Sequence, residues 1–285
     1  MLSRAVVPIH FGEPRQRVAA LPGVLRGLGV ADVVLLHVSS TDVSGHETRQ
    51  KDIRRKLQPI ADNLASNSLR VETYLSHGSP AMTITRMSAE LGGNLIVFCW
   101  KAKSWLQRTL IGSTTLDVVR MSELPVLVLK HTESEGVLYA TNFHPADSAV
   151  ISHLNTPRLS AHPLCLLHVG ERAPDPVAES TRKAESRMQL ERLASECGAN
   201  VEIRQVEGAN VARAVVREAK RFGASTIVLG KSRAPAGLST VLGSTAERVA
   251  YSATSSVLII PPGTKEPLEL TSAEEQVTMR QAHEA

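Results

Sequence analysis

Aromatic side chains are scarce in this chain: two Trp, three Tyr and four Phe among 285 residues. A core built with so few of them has to be aliphatic, and runs of Val, Leu, Ile and Ala suit a parallel sheet buried on both faces. Cysteine is scarce too. Cys99, Cys165 and Cys197 are odd in number, far apart and never in a CxxC pair, which excludes a disulfide scaffold and points to a reducing compartment. No apolar run reaches the length of a membrane span. The opening residues are too few, and broken too early by Pro8, for a secretory leader. A soluble cytoplasmic protein with no membrane partner is the expectation. Charge of one sign is missing as well: 32 Lys and Arg against 28 Asp and Glu leave +4. Arg54-Arg55 stands isolated, so nucleic acid is not expected as a partner.

What is present is a glycine-bearing stretch at residues 230–245, Gly-Lys-Ser-Arg-Ala-Pro-Ala-Gly-Leu-Ser-Thr-Val-Leu-Gly-Ser-Thr. The apolar, β-branched run Ser225-Thr226-Ile227-Val228-Leu229 precedes it and reads as a buried strand. Ala246-Glu247-Arg248-Val249-Ala250 follows and reads as helix. A helix start carries unpaired N–H groups and the positive end of the dipole. Glycines let that backbone close on an anion, which suits phosphate. The stretch is not a P-loop, because the upstream glycine at Walker spacing is missing and Lys231 sits at the strand end. Its glycines are also too widely spaced for a dinucleotide fingerprint. Lys231 itself is expected to be solvated.

The chain repeats itself. Leu35-Leu36-His37-Val38 returns as Leu166-Leu167-His168-Val169, and Gly112-Ser113-Thr114 returns as Gly243-Ser244-Thr245, each 131 residues on. Residues 94–98 and 225–229, and residues 125–129 and 256–260, keep the same offset of 131. Each unit alternates strand and helix and predicts a doubly wound, five-stranded parallel sheet. The first unit is placed at residues 1–132, the second at 136–262, and a Glu-rich tail at 263–285. In such sheets ligands bind at the carboxyl ends of strands, at the switch point. Three segments of the second unit converge there: Asn142 after its first strand, His168-Val169 after its second, and the 230–243 loop.

The whole chain resembles a tandem of two universal stress protein domains. That family's loop has glycine, two residues, glycine, nine residues, then Gly-Ser or Gly-Thr. Gly230, position 233 and Gly243-Ser244 keep the spacing, with Arg233 in place of the second glycine. The family's strand-one Asp falls on Asn142 within Ala140-Thr141-Asn142-Phe143. The resemblance implies a Rossmann-like fold of the adenine-nucleotide alpha hydrolase type. It also implies ATP or AMP in the second unit, with Mg²⁺ as a companion. The Val169 backbone would read the adenine edge, and Asn142 would hold ribose or base through its side-chain carbonyl. The N–H groups of Gly243, Ser244 and Thr245 would hold phosphate, Gly230 and Gly237 would keep the loop thin, and Arg233 would pair with phosphate oxygens. The family's final strand pairs with another copy. Here the final strands of the two units are expected to pair within one chain, with room for a further homodimer and an unnamed protein partner.

The first unit departs from that pattern. Cys99 and Ala102 stand at the glycine positions, Trp100 and Trp105 fill the loop, and His10 replaces the strand-one Asp. A loop without glycine cannot bring its backbone close to a triphosphate, so this unit is expected to be degenerate. His10, His77 and Cys99 all fall at strand ends and are residue types that bind zinc, which makes them a secondary metal candidate. For the chain as a whole, a nucleotide-binding stress or regulatory module is the leading reading. A slow ATPase is the alternative enzyme, weakened by the lack of a carboxylate placed to orient water. A scaffold with both clefts closed is the third reading.

Overall fold

The computed structural model describes residues 2–40, 47–99, 112–132, 135–144, 147–154, 162–170, 175–197, 200–231 and 244–262. The first half runs β1 (Arg4–Pro8), α1 (Arg15–Gly27), β2 (Asp32–Ser39), α2 (Glu47–Ala65), β3 (Arg70–His77), α3 (Pro80–Glu90), β4 (Leu95–Cys99), α4 (Ser113–Met121) and β5 (Val126–Leu129). The second half repeats it as β6 (Val137–Thr141), α5 (Asp147–Leu154), β7 (Leu164–Gly170), α6 (Pro176–Cys197), β8 (Val201–Glu207), α7 (Val211–Phe222), β9 (Thr226–Gly230), α8 (Ser244–Ser252) and β10 (Ser256–Ile260).

The aliphatic strands are buried on both faces, as their composition predicts. Along β4, Leu95 and Val97 belong to one apolar layer and Ile96 and Phe98 to the other. The first layer takes Leu21 and Leu25 of α1, Leu57 of α2, Val150 of α5 and Leu190 of α6. The second takes Ile84 of α3, Val118 of α4, Val215 of α7 and Val249 of α8. Each strand therefore feeds both layers through its period of two. Local chemistry sets some helix limits: Asn210 caps α7 by accepting from the Arg213 N–H at 3.0 Å, and Gly223 ends it at φ 75°, where glycine carries no Cβ penalty.

The ten strands form one sheet in the order β3-β2-β1-β4-β5-β10-β9-β6-β7-β8. Each half is parallel throughout, and the halves meet where β5 and β10 run antiparallel, with Val257 opposite Val128 and Leu258 opposite Leu127. The expected pairing of the two final strands within one chain is thus what the structure contains. In each half the strand order reverses between the first and fourth strands, β1 and β4 or β6 and β9, the switch point where a ligand crevice is expected in such sheets.

The sequence pattern did not suggest α5. Its eight residues include β-branched Val150 and Ile151, weak helix formers on their own. Burial of Val150, Ile151 and Leu154 against the sheet decides the conformation. Among the described residues no helix is long and apolar enough to cross a membrane. The 263–285 tail lies outside the described residues.

Candidate functional site

A cavity of about 900 Å³ opens at the carboxyl ends of the second half's strands. Thr141 and Asn142 at the end of β6, His168, Val169 and Gly170 of β7, and Gly230 of β9 line it. Thr245 and Ala246, in the first turn of α8, close one side. The opposite wall is α6 and β8, with Arg182, Lys183, Gln205 and Glu207. Lys183 there is held between Glu179, at 2.8 Å, and Glu207. Those two carboxylates raise its ammonium above the usual lysine range.

Four residues singled out from the sequence, Asn142, Val169, Gly230 and Thr245, come together on this one cavity. Ser244 begins α8. Arg233, Gly237 and Gly243 lie outside the described residues. The β6 ladder with β7 ends at Thr141 opposite His168. No β6 strand residue therefore stands opposite Val169, which lines the cavity.

The turn after β6 is built by a small polar network. Phe143 takes φ 60°, and its N–H donates to Thr141 Oγ1 at 2.8 Å. Its ring lies on His168 at 4.4 Å between centroids. His168 Nδ1 is 3.1 Å from the Thr141 carbonyl, so that nitrogen carries the proton and Nε2 is left as an acceptor in the neutral ring. Asp147, missed by sequence reasoning, is the first residue of α5, is 8% exposed and lines the cavity. Tyr139 donates to its Oδ1 and Thr141 to its Oδ2, both at 2.5 Å. Burial, followed by the Asp147 charge, pushes the Tyr139 phenol well above the ordinary tyrosine range.

Lys231 overturns its sequence reading. It is 1% exposed, and its Nζ donates to the carbonyls of Arg120 at 2.5 Å and Ser122 at 3.0 Å, in the first half. The side chain leaves the second half's loop to meet the end of α4, a partner that no local pattern reveals.

The first half keeps the turn and changes what fills it. Phe11 has φ 65° and packs on His37 at 4.8 Å, and His37 Nδ1 bonds the Ile9 carbonyl at 2.7 Å. Glu13 folds back so that its Oε1 accepts from the His10 N–H at 2.8 Å and from the His10 ring. Burial works to raise the Glu13 carboxyl, but the His10 bonds outweigh it and hold the group below its usual range. Burial pushes the Cys99 thiol up to about 12. Among the described residues no three His, Cys, Asp or Glu side chains are grouped to hold a metal ion. The candidate set of His10, His77 and Cys99 fails for a topological reason. β2 and β1 separate β3 from β4, which puts about 14 Å of sheet between the strands carrying His77 and Cys99.

Comparison with known proteins matches the model of the Universal stress protein family twice, over residues 1–130 and 137–261. A universal stress protein of Mycolicibacterium smegmatis is 28% identical over 232 residues, covering 76% of this chain and 78% of that one. A universal stress protein of Methanocaldococcus jannaschii is 23% identical over 159 residues, 47% of this chain and 98% of the relative. Among solved structures, a universal stress protein from Archaeoglobus fulgidus superposes with a TM-score of 0.74 at 21% identity, over 92% of this chain and all of that one. A putative universal stress protein from Pseudomonas aeruginosa gives 0.67 at 21% identity, over 92% and 94%. At such identities the structural likeness speaks for the fold.

Proposed function

The chain belongs to the universal stress protein family as a tandem of two of its domains, and from this premise we propose that it is a regulatory module binding ATP or AMP in its second half alone. The observation that carries the proposal is the cavity at the β6/β9 switch point, where Asn142, Val169, Gly230 and Thr245 converge. Its volume of about 900 Å³ falls in the range of small-molecule sites. The chemistry of its walls suits a nucleotide. Val169 lines the cavity, and its backbone would read the adenine edge. The start of α8 offers N–H groups and the positive dipole end to phosphate. Mg²⁺ would enter with the phosphates. In the first half, His10 and Glu13 occupy the turn where a ligand's sugar would rest, which supports the reading of that half as degenerate. We divide the chain accordingly into residues 1–132, 136–262 and the tail 263–285.

Two measurements test the proposal. Mass spectrometry of small molecules released from freshly purified protein should find an adenine nucleotide. Calorimetry should show ATP or AMP binding that Gly243→Asp abolishes, because a carboxylate at the helix start repels phosphate. No heat with ATP, ADP or AMP ends the reading. Multiple-turnover phosphate release lost in the same variant would make the module a slow ATPase instead.

A further inference from the structure

We propose that Asp147 is the sugar-binding residue of this site, taking over the acceptor role that Asn142 fills only in part. The inference rests on the nucleotide reading above and deepens it. Asn142 stands at the end of β6 with an amide that both donates and accepts. Five residues on, the chain returns a true carboxylate to the same cavity. The Asp147 N–H donates to the His144 carbonyl at 2.8 Å, which anchors the residue at the head of α5.

Its two oxygens each accept one hydroxyl, from Tyr139 and from Thr141, at 2.5 Å. A carboxylate offers about four acceptor sites, so it keeps capacity for two further donors, and the cavity is where those donors would stand. A held carboxylate repels phosphate and attracts hydroxyl donors. The start of α8 does the reverse. The two groups therefore polarise the cavity: phosphate toward Thr245 and Ala246, a neutral diol toward Asp147. A ribose fits that polarity, and its 2′- and 3′-hydroxyls are the donors that acidic residues hold in other nucleotide folds.

The repeat supports the assignment. The turns align through Phe11 with Phe143, and through the His37–Ile9 and His168–Thr141 bonds. In that alignment Val7, Ile9 and Arg15 stand where Tyr139, Thr141 and Asp147 stand. The acid and both hydroxyls that hold it thus belong to the second half, the half whose strand ends line this cavity.

The test is calorimetry of ATP, 2′-deoxy-ATP and 3′-deoxy-ATP on the wild-type chain, on Asp147→Asn and on Leu154→Ala. Leu154 packs α5 into the core at 3% exposure, so its variant loosens the same helix while leaving the carboxylate in place. The wild type should lose about tenfold or more in affinity with at least one deoxy nucleotide, as expected for a hydrogen bond to a charged group. Asp147→Asn should bring the ribo-to-deoxy ratio close to one, and Leu154→Ala should keep the wild-type ratio. Equal binding of ATP and both deoxy forms by the wild type overturns the inference even if no variant folds. So does a ratio unchanged in Asp147→Asn, and both results leave nucleotide binding standing. Failure of the wild type to bind ATP at all removes the nucleotide reading and this inference with it.

Discussion

Lys231 donates its ammonium to the carbonyl of Ser122, 3.0 Å away and 109 residues earlier in the chain. The bond has a reciprocal. Lys130, which follows β5, donates to the carbonyls of Ala250 at 2.6 Å and Ala253 at 2.7 Å, at the end of α8. Each half thus sends one buried lysine to close a helix of the other. Helix ends leave carbonyls without partners, and a cation suits the negative end of the dipole. The arrangement is not a product of the repeat, because the 131-residue offset puts Pro261 and Trp100 opposite Lys130 and Lys231. Arg120 adds a third tie, reaching Glu247 of α8 at 2.5 Å. The helix whose first turn lines the cavity is therefore held by the first half at both ends.

Replacing Lys231 with Met should destabilise the chain by about 2 kcal/mol, because two buried carbonyls lose their donor. Lys130→Met should cost a similar amount. Urea unfolding measures both. A loss below roughly 0.5 kcal/mol would mean that water serves those carbonyls equally well.

The same lysines give a pH signature. Burial pushes both ammonium groups down to about 8, with the Arg17 charge adding to the effect at Lys130; an unfolded lysine titrates near 10.4. Below about 8 both states are protonated and the cost of burying the charge stands in full. Above it the unfolded chain holds protons that the folded chain has released, so stability rises with pH. The thiols of Cys99 and Cys165, pushed by burial up to about 12, and of Cys197, pushed up to about 11, work the other way once unfolded cysteine begins to ionise near 8.5. The urea midpoint should therefore rise slightly between about pH 7.5 and 8.5, and in the Lys130→Met/Lys231→Met double variant, where only the thiols act, it should fall across that window. A falling wild-type profile in that window contradicts the assignment.

Tyr139→Phe should cost about 1–2 kcal/mol in thermal unfolding, since Asp147 Oδ1 loses its hydroxyl donor in a buried setting. An unchanged midpoint would show that the Tyr139 bond to Asp147 adds nothing to stability.

Leu258→Asp should separate the halves. Leu258 is fully buried opposite Leu127 in the β5–β10 ladder, and an unpaired carboxylate there costs several kcal/mol. Opening the ladder frees two apolar strand edges, which recruit other chains. Light scattering should report association. A monodisperse variant with the wild-type urea midpoint would refute the role of this pairing.

Much of this protein lay in the linear order of its residues. The 131-residue offset announced two copies of one unit. The β-branched runs announced strands buried on both faces, because burial on two sides leaves no polar alternation to hide the pattern. The strand-end residues Asn142, Val169 and Gly230, with Thr245 at the start of α8, were legible as neighbours on one cavity, because in a parallel sheet the carboxyl ends of neighbouring strands share one rim. The tertiary structure alone decided which polar groups are buried and whom they meet. Asp147 became a cavity residue through Tyr139 and Thr141, across a turn whose φ of 60° at Phe143 no periodicity encodes. Lys231 became a clasp rather than a solvated charge because its acceptors belong to another domain. Hydrophobic period and glycine spacing are properties of neighbours along the chain; the environment of a charge is set by neighbours in space.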